Sequence, residues 1–433
     1  MERFVSIGGD AAPPPAVGST RTAMMPWVVC LFFAWGLATV LIDTLVPKLK
    51  ALFALNYAEA MLSQFCFFLA YLLVSVPAGM LLSRIGYVRG IITGLAVMAL
   101  GCLLFTPAAS AGVYGGFLLA LFVMASGITL LQVAANPLVA VLGSAQGSHS
   151  RLNLAQAFNA LGTFVGPLLG SALLLRGGLA APANLAALPA EALAAYRRTE
   201  AHDIQGLFWG IAAGLVLLLL LFWRFRAFDS PAGAQRAAGG AASLRLLLRP
   251  RLGLGVLSIF LYVGAEVSIG SLMINYLMQP GVLGLGAAAA GRCVSLYWGG
   301  AMLGRFAGSA ALRRVSPGLM LAGCAGEAAL LACTSGLSAG LLAAAAILAV
   351  GLCNSIMFPT IFTLAIEGLG EDTPRGSSML CVAIVGGAIV PVLTGHVADQ
   401  AGLAWALLVP ALCYVGIAAY GLLARYHPRL AGR

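Results

Sequence analysis

Twelve long apolar segments, separated by short polar stretches, dominate this sequence of 433 residues. Hydrophobic residues make up 61% of the chain and charged residues only 9%, whereas about a quarter of an ordinary soluble domain is charged. A helix needs about 20 apolar residues to cross a bilayer. The chain is therefore predicted to be an all-α polytopic membrane protein whose transmembrane helices lie at 26–47, 59–83, 88–108, 113–142, 153–176, 205–224, 253–278, 288–311, 318–335, 338–366, 377–398 and 402–424.

Two longer hydrophilic stretches interrupt this series. Residues 177–204 predict a short amphipathic cap, and residues 225–251 predict a linker between two bundles. The expected domains are a tail at 1–25, a six-helix bundle at 26–224, this linker at 225–251, a second six-helix bundle at 252–424 and a second tail at 425–433.

The distribution of basic residues predicts the orientation of the chain. Of the 24 Lys and Arg residues, 18 fall on the side of both termini and six on the other side. Short loops rich in Lys and Arg stay in the cytoplasm. Both termini and the linker are therefore expected to be cytoplasmic.

The net charge of +10 is spread over loops rather than over one face of a domain, which argues against a nucleic-acid partner.

The two halves of the sequence show a weak parallel similarity. Three residues around the fifth segment recur 224 residues later around the eleventh, namely Arg151, Gly162 and Pro167 as Arg375, Gly386 and Pro391. Central prolines also occur in the fourth and tenth segments, at Pro137 and Pro359. Two pseudo-symmetric six-helix bundles of this kind describe the major facilitator fold, whose substrate site lies between the repeats near mid-membrane.

Asp43 is a lone carboxylate in the first apolar segment. A charged side chain at the centre of a bilayer costs about 2.5–3.5 kcal/mol even on lenient scales, so such residues face the protein interior or a water-filled path. Asp43 is predicted to bind a polar solute and to exchange a coupling cation. Burial favours its neutral form and hence proton loading, whereas a carboxylate among amide oxygens can also take Na⁺.

Amide side chains form polar stripes on the fourth and fifth segments. Asn153, Gln156, Asn159 and Thr163 recur at helical spacing, and Gln132 and Asn136 are four residues apart on one helix face. Amides are poorly tolerated against lipid, so these faces meet protein or a cavity. Hydrogen bonding between helices is one explanation. Contact with a ligand is the other, and we expect it for Gln132, Asn136, Gln156 and Asn159 but not for Asn153.

The second half contributes a further set of candidates. Glu266 is an intramembrane acid in the seventh segment, with Asn275 nine residues later, and Asn354 precedes Pro359 in the tenth. These polar residues are predicted to bind the substrate, with a pairing or gating role as the alternative for Glu266. Three acids, Glu367, Glu371 and Asp372, follow the tenth segment and are predicted to pair with Arg305 or Arg375 in an inner gate.

Motifs that would indicate an enzyme or a cofactor site are missing from the sequence. The two lysines, Lys48 and Lys50, lie in no phosphate-binding loop. The nine cysteines and four histidines show no metal-ligand spacing. The chain is therefore expected to be neither an enzyme nor cofactor-dependent, and to lack a metal site other than a possible Na⁺ site at Asp43.

Several stretches resemble the fucose:proton symporter family of the major facilitators, and its bacterial glucose/galactose branch in particular. They include Phe32-Phe33-Ala34-Trp35-Gly36 through Asp43 to Pro47, Ser126-Gly127 through Asn136-Pro137, and Arg151 to Asn159. The resemblance implies cation-coupled uptake of a monosaccharide by alternating access in a bacterial inner membrane. It also implies that Asp43 is the family's protonatable aspartate and that Asn159 contacts the sugar.

One departure from this pattern concerns coupling. Fucose-type members have a glutamate where this chain has Gln132, and an amide cannot exchange a proton in this range. The first half then lacks a second coupling carboxylate, and the substrate expectation shifts toward hexoses such as glucose or galactose. The coupling cation can be either H⁺ or Na⁺. The rings of Trp35 and Tyr262 are candidates to cover the apolar face of the sugar. The chain is expected to act as a monomer. The rival hypothesis is a facilitator of another small polar solute or a drug exporter.

Overall fold

The computed structural model describes residues 24–40, 57–111, 113–174, 189–228 and 245–426, and all regular secondary structure in these ranges is helical. Nine of the described helices are long and apolar enough to cross a membrane. The twelve principal helical segments are α1 Met24–Val40, α2 Tyr57–Ile85, α3 Tyr87–Ala111, α4 Tyr114–Val141, α5 Ser148–Leu174, α6 Ala190–Trp223, α7 Pro250–Met278, α8 Ala287–Ala311, α9 Pro317–Leu337, α10 Gly340–Ile366, α11 Gly370–Ala401 and α12 Leu403–Tyr426.

Most helix boundaries lie within a few residues of the predicted spans, and α6 is the main exception. It begins at Ala190 and runs without a break for 34 residues, so the second half of the predicted cap is part of this helix. Its first turns are rich in Ala and Glu, which are strong helix formers, and Pro189 precedes the first helical residue. The remainder of the cap, 177–188, and most of the linker, 229–244, lie outside the described residues.

The helices pack as two equivalent halves. In the first half α3 contacts α4 and α6, and in the second half α9 contacts α10 and α12 in the same relation. The halves meet where α2 packs against α11 and α5 packs against α8 and α10. This arrangement confirms the predicted fold of two six-helix repeats. The side of the molecule at which α1 begins and α12 ends is called the terminal side below.

Helix α10 is interrupted in the middle. Its two segments, Gly340–Asn354 and Met357–Ile366, are joined by a turn at Ser355 and Ile356. Pro359 has no backbone N–H, so the carbonyl four residues earlier, that of Ser355, has no helical donor. Two glycines of α8, Gly304 and Gly308, lie directly against Ser355 and Ile356. The break therefore leaves a free carbonyl at a point where α8 approaches closely.

Candidate functional site

The first turn of α5 contacts the second half through a buried histidine. His149 Nδ1 lies 2.5 Å from Thr363 Oγ1 on α10. The Thr363 hydroxyl itself donates to the Pro359 carbonyl at 2.8 Å, so the imidazole N–H is the donor in the contact between the halves. This bond joins the first and second halves at the terminal side of the molecule.

Two serines reinforce this junction. The Ser150 hydroxyl donates to the Ser309 carbonyl at 2.7 Å, and the Ser309 hydroxyl donates back to the Ser150 carbonyl at 2.9 Å. One turn further along α5, Asn153 Nδ2 donates to Thr360 Oγ1 at 3.4 Å. These contacts hold the terminal sides of the two halves together, and Asn153, for which a structural role is predicted, is one of the residues that form them.

Arg305 of α8 lies beside this junction and links three parts of the protein. Its Nε donates to the Ser355 carbonyl at 3.2 Å, which is the carbonyl left free by Pro359. Its Nη1 donates to the Gln156 carbonyl of α5 at 3.2 Å. Arg305 therefore bridges the two halves, as expected of a gating residue, but through backbone carbonyls rather than through an acidic side chain.

The predicted pair between Glu367 and Arg305 is not formed. Glu367 instead forms an ion pair with Arg251 at the start of α7. The reason is geometric: Arg305 lies nearly two turns before the end of α8 and faces α5, whereas Glu367 lies beyond the end of α10. The predicted pair with Arg375 is formed by the neighbouring acid, Asp372, which also pairs with Arg249. All of these ion pairs lie within the second half, so they close no gap between the halves.

The candidate amides of the first half take part in three hydrogen bonds between helices. Gln132 Nε2 donates to the Tyr71 hydroxyl at 2.5 Å, which joins α4 to α2. Gln156 Nε2 donates to Asn136 Oδ1 at 3.2 Å, which joins α5 to α4. Asn159 Nδ2 donates to the Phe32 carbonyl of α1 at 3.0 Å. The expected bonding between helices is thus present for each of these amides.

The second half has a matching group around Glu266. The Tyr262 hydroxyl donates to Glu266 Oε1 at 2.7 Å and lies 3.2 Å from the Asn354 carbonyl. Asn354 Nδ2 in turn donates to the Tyr297 hydroxyl at 2.7 Å. Glu266 is half-buried, whereas Tyr262 and Asn354 are buried. Tyr297 had no sequence signal, because its role depends on a residue 57 positions away.

Asn136 Nδ2 in the first half is a buried amide donor with no hydrogen-bond partner among the described residues. Asn354 Oδ1 in the second half also lacks a well-placed donor, although the Asn354 side chain interacts with the buried Tyr414 hydroxyl of α12. Buried polar atoms are nearly always paired, so an unpaired one calls for an explanation such as a ligand or a water molecule. An unpaired donor in the first half and an amide beside a tyrosine hydroxyl in the second are suited to a solute that carries hydroxyl groups.

The remaining candidates are placed differently. Trp35 is buried and packs against Phe32, with ring centroids 5.3 Å apart. Asn275 is exposed near the end of α7, apart from the group around Glu266. Asp43 lies outside the described residues. The described residues contain no group of three or more His, Cys, Asp or Glu side chains placed to hold a metal ion.

Two equivalent six-helix repeats, each with buried polar side chains hydrogen-bonded between its helices, are the architecture of a membrane transporter of the alternating-access class. The sequence profile of the Major Facilitator Superfamily matches residues 27–380. The chain is 48% identical over 397 residues to the glucose/galactose transporter of Brucella abortus, covering 91% of this chain and 92% of that protein. It is 36% identical over 411 residues to the L-fucose-proton symporter of Escherichia coli K12, covering 92% and 93%.

A crystal structure of the major facilitator FucP in the outward conformation is similar to the whole fold. It superimposes with a TM-score of 0.86 at 34% identity, covering 94% of this chain and 99% of that one. The chain therefore belongs to the major facilitator superfamily, in the family that includes the bacterial glucose/galactose transporters and the L-fucose-proton symporters. It is a multi-pass membrane transporter.

Proposed function

We propose that the protein is a secondary active sugar transporter that takes up a hexose such as glucose or galactose together with a cation. The similarity to a glucose/galactose transporter, which exceeds the similarity to an L-fucose-proton symporter, supports a hexose as the substrate. The presence of Gln132 where fucose-type members carry a glutamate supports the same branch. The protein acts as a monomer in the inner membrane of a bacterium, with its terminal side in the cytoplasm.

The observation that carries this proposal is the pair of amide groups on opposite halves. Asn136 offers an unpaired donor, and Asn354 offers an amide acceptor beside the Tyr414 hydroxyl. Adjacent hydroxyls of a pyranose donate and accept hydrogen bonds at once, so they complete both groups. Gln132, Gln156 and Asn159 extend the polar surface in the first half, and Glu266 extends it in the second. Trp35 and Tyr262 supply rings for the apolar face of the sugar.

Coupling is assigned to Asp43, the lone acid of the first apolar segment. A proton is the cation favoured by the relationship to a fucose-proton symporter, and Na⁺ is the alternative. One monovalent cation that crosses a potential of 100 mV supplies about 2.3 kcal/mol, which corresponds to roughly 50-fold accumulation of an uncharged sugar. A single coupling ion is therefore sufficient for a scavenging importer.

The conformation of the described residues fits an intermediate of alternating access. The junction formed by His149, Ser150 and Asn153 closes the terminal side, which under this proposal is the cytoplasmic gate. Arg305 adds its bridge to α5 at the same level. A closed cytoplasmic gate is the state in which a sugar enters from outside.

Uptake of radiolabelled hexose into proteoliposomes, under an imposed pH gradient or Na⁺ gradient, tests this function. Wild-type protein is expected to accumulate glucose or galactose above the external concentration under one of these gradients. Unlabelled galactose, glucose and L-fucose, added as competitors, rank the substrates. Asp43→Asn is expected to abolish accumulation while it retains exchange of labelled for unlabelled sugar.

Two outcomes would contradict parts of this proposal, the first the sugar assignment and the second the role of Asp43. If no hexose and no fucose enters under either gradient, although the protein is folded and correctly inserted, the sugar assignment fails. If Asp43→Asn accumulates sugar as wild type does, the sugar assignment stands but Asp43 is not the coupling residue. Glu327→Gln is the matched control, because Glu327 is an exposed acid on α9 that is predicted neither to bind sugar nor to couple.

A further inference from the structure

Trp298, near the middle of α8, is a large aromatic residue that remains 43% exposed. Its direction follows from helical periodicity, because residues seven and eleven positions apart lie on nearly the same helix face. Those positions are Arg305 and Ser309, and both side chains donate to carbonyls of α5 in the first half. The exposed leucines of α8, Leu296 and Leu303, lie toward the opposite face. Trp298 therefore faces the first half rather than lipid.

The level of Trp298 in the bundle follows from the antiparallel packing of α5 and α8. The Gln156 carbonyl lies beside Arg305, with the reciprocal serine bonds nearer the terminal side. Away from the terminal side, the same number of residues leads from Arg305 to Trp298 and from Gln156 to Thr163. At 1.5 Å per residue, Trp298 lies about 10 Å beyond the Arg305 bridge, level with Asn159 and Thr163 of the polar stripe on α5. A ring that faces the other half at this level and is still exposed requires a gap between the halves.

Within its own half, Trp298 adjoins the polar group around Glu266. Its ring packs edge-on against the buried Tyr297 ring, with centroids 5.2 Å apart, and the Tyr297 hydroxyl accepts the hydrogen bond from Asn354. The ring edge lies beside Gly270 of α7, where an added Cβ atom would come 3.6 Å from Trp298 Cζ2. Gly270 is one helical turn beyond Glu266. The indole is therefore supported by the same residues that form the polar group of the second half.

Trp298 also differs from the two rings predicted to cover the sugar. Trp35 and Tyr262 are 5% and 1% exposed, so neither ring presents a free face in this conformation. A pyranose has one face of C–H groups and a rim of hydroxyls. An indole offers a large, rigid apolar surface to the C–H face, while amide groups beside it bond the hydroxyls. Trp298 combines an open ring face with amide neighbours in both halves.

We infer that Trp298 is the ring on which the apolar face of the sugar stacks while the terminal side of the protein is closed. The hydroxyls of the stacked sugar then point toward the amides of the polar stripe on α5. This inference rests on the proposed hexose transport, and it restricts the substrate to a cyclic sugar with an apolar face. A charged or acyclic solute offers no such face to the ring.

A first experiment tests whether position 298 lines a water-filled path. Trp298→Cys is expressed in intact cells and treated from outside with a charged, membrane-impermeant methanethiosulfonate reagent. Because thiols react as thiolates in water, we expect labelling at least about 10-fold faster than for Leu296→Cys on the opposite face of α8. A saturating concentration of the transported hexose is expected to slow labelling at least about 3-fold. Wild type controls for the nine native cysteines, and mass spectrometry of the purified protein measures the labelled fraction.

A second experiment measures the contribution of the ring to sugar affinity. In proteoliposomes, Trp298→Leu is expected to raise the KM for hexose at least about 5-fold, whereas Trp298→Phe, which keeps an aromatic face, stays within about 3-fold of wild type. Trp209→Leu changes an exposed tryptophan of α6 and is expected to leave KM unchanged. A purely structural role of Trp298 would instead lower the thermal unfolding midpoint of both Trp298 variants without raising KM.

The outcomes separate this inference from the proposed function. The inference is overturned, and hexose transport stands, if wild type transports hexose but Trp298→Leu has an unchanged KM. The same holds if Trp298→Cys is labelled no faster than Leu296→Cys, or if the transported hexose does not slow its labelling. If wild type transports no hexose and no fucose, the proposed function fails and the inference fails with it.

Discussion

Gly162 of α5 and Gly386 of α11 occupy equivalent positions in the two halves of the protein. A Cβ atom at Gly162 would collide with the Phe33 carbonyl of α1, and a Cβ atom at Gly386 would collide with the Phe260 carbonyl of α7. Each glycine thus lets a helix at the interface pack against the backbone of the first helix of its own half. The spacing of 224 residues seen in the sequence corresponds to a repeated contact in space.

Substitution of Gly386 by alanine is expected to destabilise the fold. The obstructing atoms belong to the Phe260 backbone, which cannot move aside as a flexible side chain does. Overpacking of this kind costs about 1–3 kcal/mol. The thermal unfolding midpoint in detergent measures the loss. Gly395→Ala on the same helix is the control, because nothing lies within 4 Å of the added methyl group. Equal midpoints for the two variants would contradict the close-packing explanation.

The spans and the repeat could be predicted from the sequence because both leave periodic signals. Runs of apolar residues mark the helices, and the recurrence of Gly162 as Gly386 marks the symmetry. The early start of α6 left no such signal, because Arg197, Arg198 and Glu200 make its first turns too polar for a hydropathy criterion. The high helix propensity of the Ala- and Glu-rich residues at the start of α6 is the signal that predicts its early start.

Replacement of Gln132 by glutamate tests the departure of this chain from fucose-type members. The variant places a titratable acid beside the Tyr71 hydroxyl, in a buried group that is otherwise uncharged. We expect the rate of sugar exchange to gain a dependence on pH, because a carboxyl group can exchange a proton and an amide cannot. Exchange measured in pH steps with equal pH on both sides reports the change.

The control for this variant is Gln205→Glu. Gln205 hydrogen-bonds Ser110 at the other end of the first half, outside the polar groups of the interface. Its pH profile is expected to match that of wild type. If Gln132→Glu also matches wild type, the side chain at 132 does not contribute to the transport cycle.

Removal of the Tyr71 hydroxyl is expected to weaken sugar binding. Phenylalanine leaves Gln132 Nε2 without its acceptor, so the amide is no longer held in place. A lost buried hydrogen bond of this type costs about 1–2 kcal/mol, which raises the KM for sugar roughly 5- to 30-fold. Tyr426→Phe, at the exposed end of α12, is the control. Initial uptake rates over a range of sugar concentrations separate KM from the maximal rate, and an unchanged KM would exclude Tyr71 from the site.

The contacts between the halves could not be predicted from the sequence. His149 and Thr363 are 214 residues apart, and Ser150 and Ser309 are 159 apart. Pairs at such separations follow from tertiary packing and leave no local pattern. Glu367 is a further example. Its charge predicted an ion pair, but the sequence did not indicate that the partner is Arg251. The amide stripes were recognisable, yet their bonding partners depended on the packed structure.

A disulfide across the junction is expected to stop transport reversibly. With Ser150→Cys and Ser309→Cys, oxidation links α5 to α8 at the terminal side, where the reciprocal serine bonds already hold the helices in contact. A covalent link prevents the halves from separating there, so sugar that enters from outside cannot leave to the inside. Uptake should fall to the background level with oxidant and recover after reduction with dithiothreitol. Each single substitution, treated in the same way, controls for oxidation of the native cysteines. Continued uptake by the linked protein would show that the terminal side does not have to open during transport.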